Sequence, residues 1–504
     1  MAAPPDPTFR IPLSRGLLPR TALERVHGLG RSVFLEGGGG GGRSLVSAAP
    51  RRIVRVALGA ASGASFLEEE LFSFAPRAPE TPTSSQEPSE RRFAGGWIGY
   101  LGYEFADFLE QLPAPASDGM GMPILWFGWY DWAAVWDRGG GVGLLEGAPA
   151  PGADPAEFEA RLLRVRDLLE GNTEELERWE WEGGNAAPSA RSGPMGRDGE
   201  APRLPEGVPL PGHPGVRSSL GREGFVRGVD RIRDQIRVGE IYQANLTQQL
   251  WAPFPRGEGL PFFRALQRRS PAPFAAYLDT GEGEIASVSP EGFLSLKGRT
   301  VHTRPIKGTA PAGAARQLAA SEKDRAENVM IVDLLRNDLS RVCRPDSVRV
   351  PRLLELERHP PVHHLVSTVT GELEEGFDGA DLLCATFPGG SITGAPKLRA
   401  IEILREEEPV RREVYTGALG LIERNGDMEL SIAIRTAVVR GGWASWGAGG
   451  GITLASDPSA EWWESLDKAG SFLQALSEWA GGERPGPNGP AGSTSLGGRT
   501  GGDG

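Results

Sequence analysis

The sequence lacks the features that would mark several common function classes. It holds two cysteines, Cys343 and Cys384, whose spacing suits neither a zinc knuckle nor a disulfide framework. No run reaches the roughly 18 consecutive apolar residues of a membrane span. Residues Met1–Pro7 lack a charged segment followed by an apolar one, so no secretory leader is expected. There is no block of basic charge and the formal net charge is −12, which argues against nucleic acid as a partner. A cytoplasmic enzyme is the expectation. A small anionic substrate stays compatible with this charge, because a few local cations or a metal ion overrule the global field.

Composition is otherwise that of a globular protein, 39% hydrophobic and 24% charged. The 504 residues suit one large domain or two medium ones. Residues 1–182 mix strand-like runs with glycine-rich interruptions, including the six glycines 37–42, and close on a helical stretch over 157–182. Residues 183–217 are rich in Gly, Pro, Ser and Ala and read as a flexible linker. Dense patterning returns over 218–480, and residues 481–504 read as a disordered tail.

Five segments of the second block could carry chemistry. Glu322–Leu339 reads as a buried helix with Glu327 on the face of Met330, Ile331 and Leu334. A carboxylate there is costly unless it is paired or binds a cation, so it is either a buried ion pair or a metal ligand. Glu461–Leu476 reads as a helix placing Glu464 and Lys468 on one face, a surface pair in the plainer reading. The preceding Gly447–Ile452 reads as a glycine loop whose amides could nest an anion. Phe387–Lys397 runs glycines into a helix start, which suits either an anion or a plain turn. Leu430–Thr436 alternates as a strand with Ser431, Ala433 and Arg435 on one side. Arg435 there suits a carboxylate grip or an exposed strand face. Lys307, in a short strand before Gly308, is either a surface charge or a desolvated nucleophile.

Together these segments resemble the chorismate-binding enzymes, a family that includes anthranilate synthase large subunits, aminodeoxychorismate synthase component I and isochorismate or salicylate synthases. The matching runs are Gly239–Leu246, Ser289–Phe293, Arg304–Thr309, Arg325–Asp338, His363–Ser367, Phe387–Lys397, Ser431–Thr436 and Gly449–Lys468. Phe93–Glu104 looks like the family's N-terminal region, so the resemblance covers about residues 93–475. It implies an α/β (α+β) fold of two packed β-sheets flanked by helices, with the active site in the cleft between them.

The resemblance also implies roles. Glu327 and Glu464 would hold Mg²⁺ against the ring carboxylate of chorismate. Arg435, Lys468 and the Gly449, Gly450 and Gly451 amides would hold the substrate carboxylates, with His364 and Thr393 also at the substrate. Glu291 would be the general acid at the C4 hydroxyl. Between Pro-Ile and Gly-Thr, anthranilate synthases typically carry Ala and aminodeoxychorismate synthases Lys; this sequence has Lys307. That implies a covalent bond from Lys307 to C2 and amination of C4, with anthranilate synthesis as the alternative. Neither Cys343 nor Cys384 sits in a glutaminase-type turn, so ammonia is expected from solution or a separate glutamine amidotransferase subunit. Relatives often bind tryptophan in the N-terminal region, but Phe34-Leu-Glu-Gly37 departs from their Leu-Leu-Glu-Ser motif, so tryptophan inhibition is not expected.

Overall fold

The computed structural model describes residues 8–37, 42–57, 67–72, 92–116, 118–137, 141–150, 152–172, 202–359 and 362–480. The expected tail 481–504, the helical stretch beyond residue 172, linker residues 183–201 and glycines 38–41 lie outside them. No helix of the described residues is long and apolar enough to cross a membrane.

Two β-sheets dominate, one of 13 strands and one of 10, and every recorded strand pairing is antiparallel. The larger sheet runs from Phe9–Pro12 at one edge through Phe274–Asp279, Glu284–Ser289, Thr436–Arg440, Trp443–Ile452 and Gln243–Pro253 to Val208–Pro209. The smaller runs from Ile306–Pro311 through Val362–Glu372, Thr300–Arg304, Gly292–Lys297, Met428–Ile432, Ala418–Glu423 and Gly96–Leu101 to Arg52–Val56. Both sheets draw strands from residues 8–172 and from the later chain, so the two sequence blocks interleave rather than stack as separate layers.

Among the described residues, three apolar clusters form the core. One holds residues of both sheets, with Ile98, Tyr100 and Trp126 meeting Leu278, Ile285 and Val438. The other two join each sheet to its helices. Helix Gly221–Arg237 buries the predicted stripe of Phe225, Val229 and Ile232, with Ile236 packed at its margin. Helix Glu322–Ser340 starts where the Ser321 side chain accepts the Asp324 amide, and Ile331 is fully buried.

The linker expectation needs correction from residue 202 onward. Val208–Pro209 and Arg217–Ser218 pair at the end of the larger sheet, and Leu210 and Val216 are buried. Proline and glycine are compatible with short edge strands, where an unmade backbone bond costs little.

Buried polar contacts tie the early chain to the late one. Glu104 accepts the amides of Arg412 and Glu413 at 2.9 and 3.0 Å. Glu413 accepts the amides of Met120 and Gly121 at 3.0 and 2.8 Å. Burial pushes the Glu413 carboxyl up to about 7, with Glu104 adding and Arg411 opposing. A raised carboxyl pKa stabilises the fold below the ordinary carboxyl range, and that contribution fades as pH climbs through the raised value. The melting temperature of the wild type relative to Glu413→Gln should therefore fall from about pH 5 to about pH 8. A difference that stays flat across that range contradicts the shift. A Cβ at Gly99 would stand 2.0 Å from the Trp126 carbonyl oxygen, whereas one at Gly470 meets nothing within 4 Å. Gly99→Ala should cost about 1–3 kcal/mol, and Gly470→Ala in its helix should gain about 0.5–1 kcal/mol. Thermal melts of the two variants should move in opposite directions.

Candidate active site

The chain changes sheets twice at one place. It leaves the larger sheet after Ser289 and joins the smaller at Gly292, and it returns between Ile432 and Thr436. The crossings bond to each other: Ser289 Oγ donates to the Ile432 oxygen at 2.6 Å, the Ile432 amide to the Glu291 oxygen at 3.0 Å, and the Val288 amide to the Arg435 oxygen at 2.9 Å. Glu291 and Arg435 each sit in a crossing. The continuous strand expected over 430–436 is therefore corrected: it ends at Ile432, and Arg435 takes φ 53° where the chain turns toward the other sheet.

Lys307 lies on the strand Ile306–Pro311, half-buried, and its Nζ donates to the Ser391 oxygen at 3.0 Å. Burial lowers its pKa; Lys468 helps, while the carboxylates Glu327 and Glu291 oppose the shift. Glu291 is buried, which raises its pKa against Lys307, a Ser391 side-chain hydrogen bond and one from the Ile306 backbone. Ser391 thus serves both groups, its hydroxyl at Glu291 and its carbonyl at Lys307.

A second group of charges adjoins the first. Lys468 pairs with Glu464 at 2.8 Å and donates to the Gly449 oxygen at 2.9 Å. Glu461, buried, takes Lys323 at 3.2 Å and the Ser456 hydroxyl at 2.7 Å. A Cβ on Gly450 would lie 3.2 Å from Lys468 Nζ, 3.4 Å from Glu461 Oε2 and 3.6 Å from Glu464 Oε1, so all three charged groups close on that glycine. Burial raises Glu327, with Lys307 and Lys323 opposing, and its Oε1 is a buried oxygen with no hydrogen-bond partner. Burial would also raise Glu464, but Lys468, Lys323 and Lys307 outweigh it and hold the carboxyl below its ordinary range. The donors fit a hard divalent cation. Glu327, with its unpartnered oxygen, and the half-exposed Glu464, held below its ordinary range, would supply two carboxyl ligands. Among the described residues no three metal-ligating side chains converge, so substrate and water would complete the shell, as is common for Mg²⁺.

The glycines are placed differently from expectation. Gly447–Ile452 is part of the strand Trp443–Ile452 rather than a loop, with Asn245, Leu246 and Thr247 opposite Gly451, Gly450 and Gly449. A Cβ on Gly449 would stand 2.0 Å from the Leu246 oxygen, which explains the glycine. The strand's other edge pairs with Thr436–Arg440 only as far as Trp446. Beyond it, among the described residues, no strand covers that edge, because the neighbouring chain departs through Arg435. Any amide offered to a ligand here is an edge amide, not part of a loop nest.

The Phe387–Lys397 segment also differs. Gly394–Ala395 pairs with Gln243–Ala244 before helix Lys397–Glu407 begins, so the glycines do not lead into the helix start. Thr393 is fully buried and its hydroxyl donates to Gly389 and Gly390 oxygens at 3.1 and 3.4 Å, inside its own turn. Its side chain therefore braces the turn. His364 is buried on Val362–Glu372, next to Leu365, the register partner of Lys307.

Residues that composition could not single out include Ser391 and Asn245, inside the motifs, and Tyr415, outside them. Tyr415 occupies the space a Cβ on Gly447 would need, and burial pushes its phenol up to about 12, with Arg412 and Arg435 opposing. The signal for all three was proximity to glycines, visible only once partners are known. A cavity of about 270 Å³ lies elsewhere between the sheets, lined by Leu35, Glu36, Gly37 and Arg43 on one side and Met428 and Glu429 on the other, and none of the expected site residues lines it.

A family model described as chorismate binding enzyme matches residues 33–474. Aminodeoxychorismate synthase component 1 of Klebsiella aerogenes is 38% identical over 392 residues, 76% of this chain and 78% of that protein. Anthranilate synthase component 1 of Thermus thermophilus is 36% identical over 426 residues, 81% of each. The crystal structure of anthranilate synthase component I from Streptococcus pneumoniae superposes with a TM-score of 0.65 at 26% identity, covering 94% of this chain and 93% of that one. MenF of Escherichia coli, a menaquinone-specific isochorismate synthase, shares the fold with a TM-score of 0.63 at 17% identity. With the matched residues spanning both sheets and all of the clustered charges, the chain belongs to the chorismate binding enzymes.

Proposed function

We propose that this protein is a cytoplasmic aminodeoxychorismate synthase component I, which aminates chorismate at C4 with ammonia delivered by a separate glutamine amidotransferase subunit. One observation carries the reading: the half-buried Lys307 amine donates to the Ser391 carbonyl while the hydroxyl of the same serine bonds the buried Glu291, so amine and carboxyl meet at one residue. A surface lysine would have none of these features.

Arg435, Lys468 and the edge amides of Gly449 and Gly451 hold the substrate carboxylates, the Gly450 amide being turned to Leu246 in the ladder, and His364 lies at the ring. Thr393 contributes through the turn it closes. Glu327 and Glu464 would hold Mg²⁺, which when bound would offset the charge of the ring carboxylate. The neutral Lys307 amine forms a bond to C2, the diene electrons shift, and the C4–O bond breaks. Glu291, whose pKa burial raises, gives its proton to the departing hydroxyl, which leaves as water. Ammonia then bonds to C4, the electrons return, and the C2–N bond breaks. Lys307 leaves as a neutral amine, and the positive charge passes to the product ammonium. The covalent step splits one difficult substitution in two and directs nitrogen to C4.

Chorismate, Mg²⁺ and ammonia should yield 4-aminobenzoate only after an aminodeoxychorismate lyase is added. Anthranilate fluorescence without lyase, and no 4-aminobenzoate with it, would make the protein an anthranilate synthase. Lys307→Ala should abolish 4-amination or redirect nitrogen to C2, and unchanged 4-amination removes Lys307 from the chemistry. Glu327→Gln and Glu464→Gln should each raise the Mg²⁺ concentration for half-maximal rate by at least about tenfold, since each deletes one of two anionic ligands. A magnesium titration that overlays the wild type assigns the metal elsewhere.

A further inference from the structure

Asn245 is one of the most constrained polar side chains near Lys307, and the proposed reaction gives it no role. It sits on the strand Gln243–Pro253, 6% exposed. Its backbone is fixed on both sides, the amide donating to the Thr393 oxygen at 2.8 Å and the oxygen accepting from Arg412 Nη2 at 2.7 Å. Its side-chain Nδ2 donates to the Ser391 oxygen at 2.8 Å. That oxygen is the acceptor of Lys307 Nζ. On the other side, Asn245 Oδ1 lies 3.2 Å from where a Cβ on Gly451 would stand, so the missing side chain leaves room for the amide.

A peptide carbonyl has two lone pairs. With one taken by Asn245, a single direction remains for the lysine amine. Arg412 Nη1 fixes the next carbonyl, that of Ile392, at 2.9 Å, so the acceptor cannot swing to follow a displaced lysine. A nucleophilic amine must aim its lone pair, and pinning one of its N–H bonds restricts where the lone pair points.

We propose that Asn245 is a positioning residue, which orients the Lys307 amine for attack by occupying the second lone pair of the Ser391 carbonyl. The proposal rests on Lys307 being the nucleophile. It separates two jobs within the site: the charged groups and glycine edge bind the substrate, while the Asn245–Ser391 pair sets the direction of attack. Loss of the pair should therefore appear in the rate of bond formation and not in substrate affinity.

The test uses Asn245→Leu, which keeps the branching of the side chain but removes the donor, and Asn245→Asp, which keeps the shape but turns the donor into an acceptor. Each is assayed in the full chain with Mg²⁺. Chorismate affinity is measured by calorimetry, kcat by the lyase-coupled assay, and the Lys307 adduct by mass spectrometry after mixing with chorismate in ammonia-free buffer. Both variants should lose roughly 10- to 100-fold in kcat and in the rate of adduct formation, with chorismate affinity within about threefold of wild type. Adding Asn245→Leu to Lys307→Ala should leave chorismate affinity unchanged. The inference is overturned if either variant forms adduct at the wild-type rate. It is equally overturned if Asn245→Leu weakens chorismate binding by the same factor with and without Lys307, since that marks a structural disturbance. A wild-type protein that turns chorismate over without any Lys307 adduct instead removes the underlying reading, and the two failures are read from different samples.

Discussion

The structure depends on a pair of chain crossings that bind each other. At Ser289–Gly292 and Ile432–Thr436 the chain passes between two sheets, and three hydrogen bonds of 2.6 to 3.0 Å lock the passages together. A residue in a crossing cannot take a regular place in either ladder. Glu291 and Arg435 are such residues, and each is freed from sheet pairing by the same event. The crossing at Arg435 also carries a strand away from Gly447–Gly451 and leaves that edge uncovered. One topological feature thereby places a buried carboxyl and a guanidinium in the crossings and leaves alternate backbone amides on an open edge.

Charge balance is the second constraint. Lys307, Lys323 and Lys468 face Glu291, Glu327, Glu461 and Glu464 in a partly desolvated region. Burial of an unpaired charge is costly, so each group is stabilised by neighbours of opposite sign or shifts toward its neutral form. Lys307 and Glu291 shift toward neutrality, which is the state an amine nucleophile and a proton donor need. Glu464, beside Lys468, is held ionised. The unpartnered Glu327 oxygen marks where the balance is incomplete within the protein alone. These opposite outcomes for three carboxyls within one site follow from burial and partner, not from residue type.

The early chain is no appendage to this arrangement. Gly96–Leu101 is an inner strand of the smaller sheet, and Glu104 holds the amides of Arg412 and Glu413. Arg412 in turn grips the Ile392 and Asn245 carbonyls. A chain of buried hydrogen bonds therefore runs from the Phe93–Glu104 motif to the turn that holds Lys307. Its members are main-chain groups and long polar side chains, whose positions are set by packing.

Much of the catalytic block could be read from the sequence. Helical periodicity located Glu322–Ser340 and the face carrying Glu327, and the buried stripe of Gly221–Arg237 followed the predicted spacing, because each signal is local to one element. The ordered motifs identified the family and, with Lys307, the chemistry to expect. Three features differ from their local pattern for one reason. The glycine run suits a loop, Arg435 a strand, and residues 202–217 a linker. In each case the local pattern was compatible with both states, and the outcome was set by a partner strand far away in sequence. Gly449 is extended because Thr247 pairs with it, and Arg435 turns because Val288 holds its carbonyl. The sequence alone determined which residues are present and which helices carry them. Tertiary structure decided which carboxyls are pushed toward the neutral form, which amides face an uncovered edge and that Asn245 meets Lys307 at one carbonyl, because each depends on distances between segments that the chain brings together only on folding.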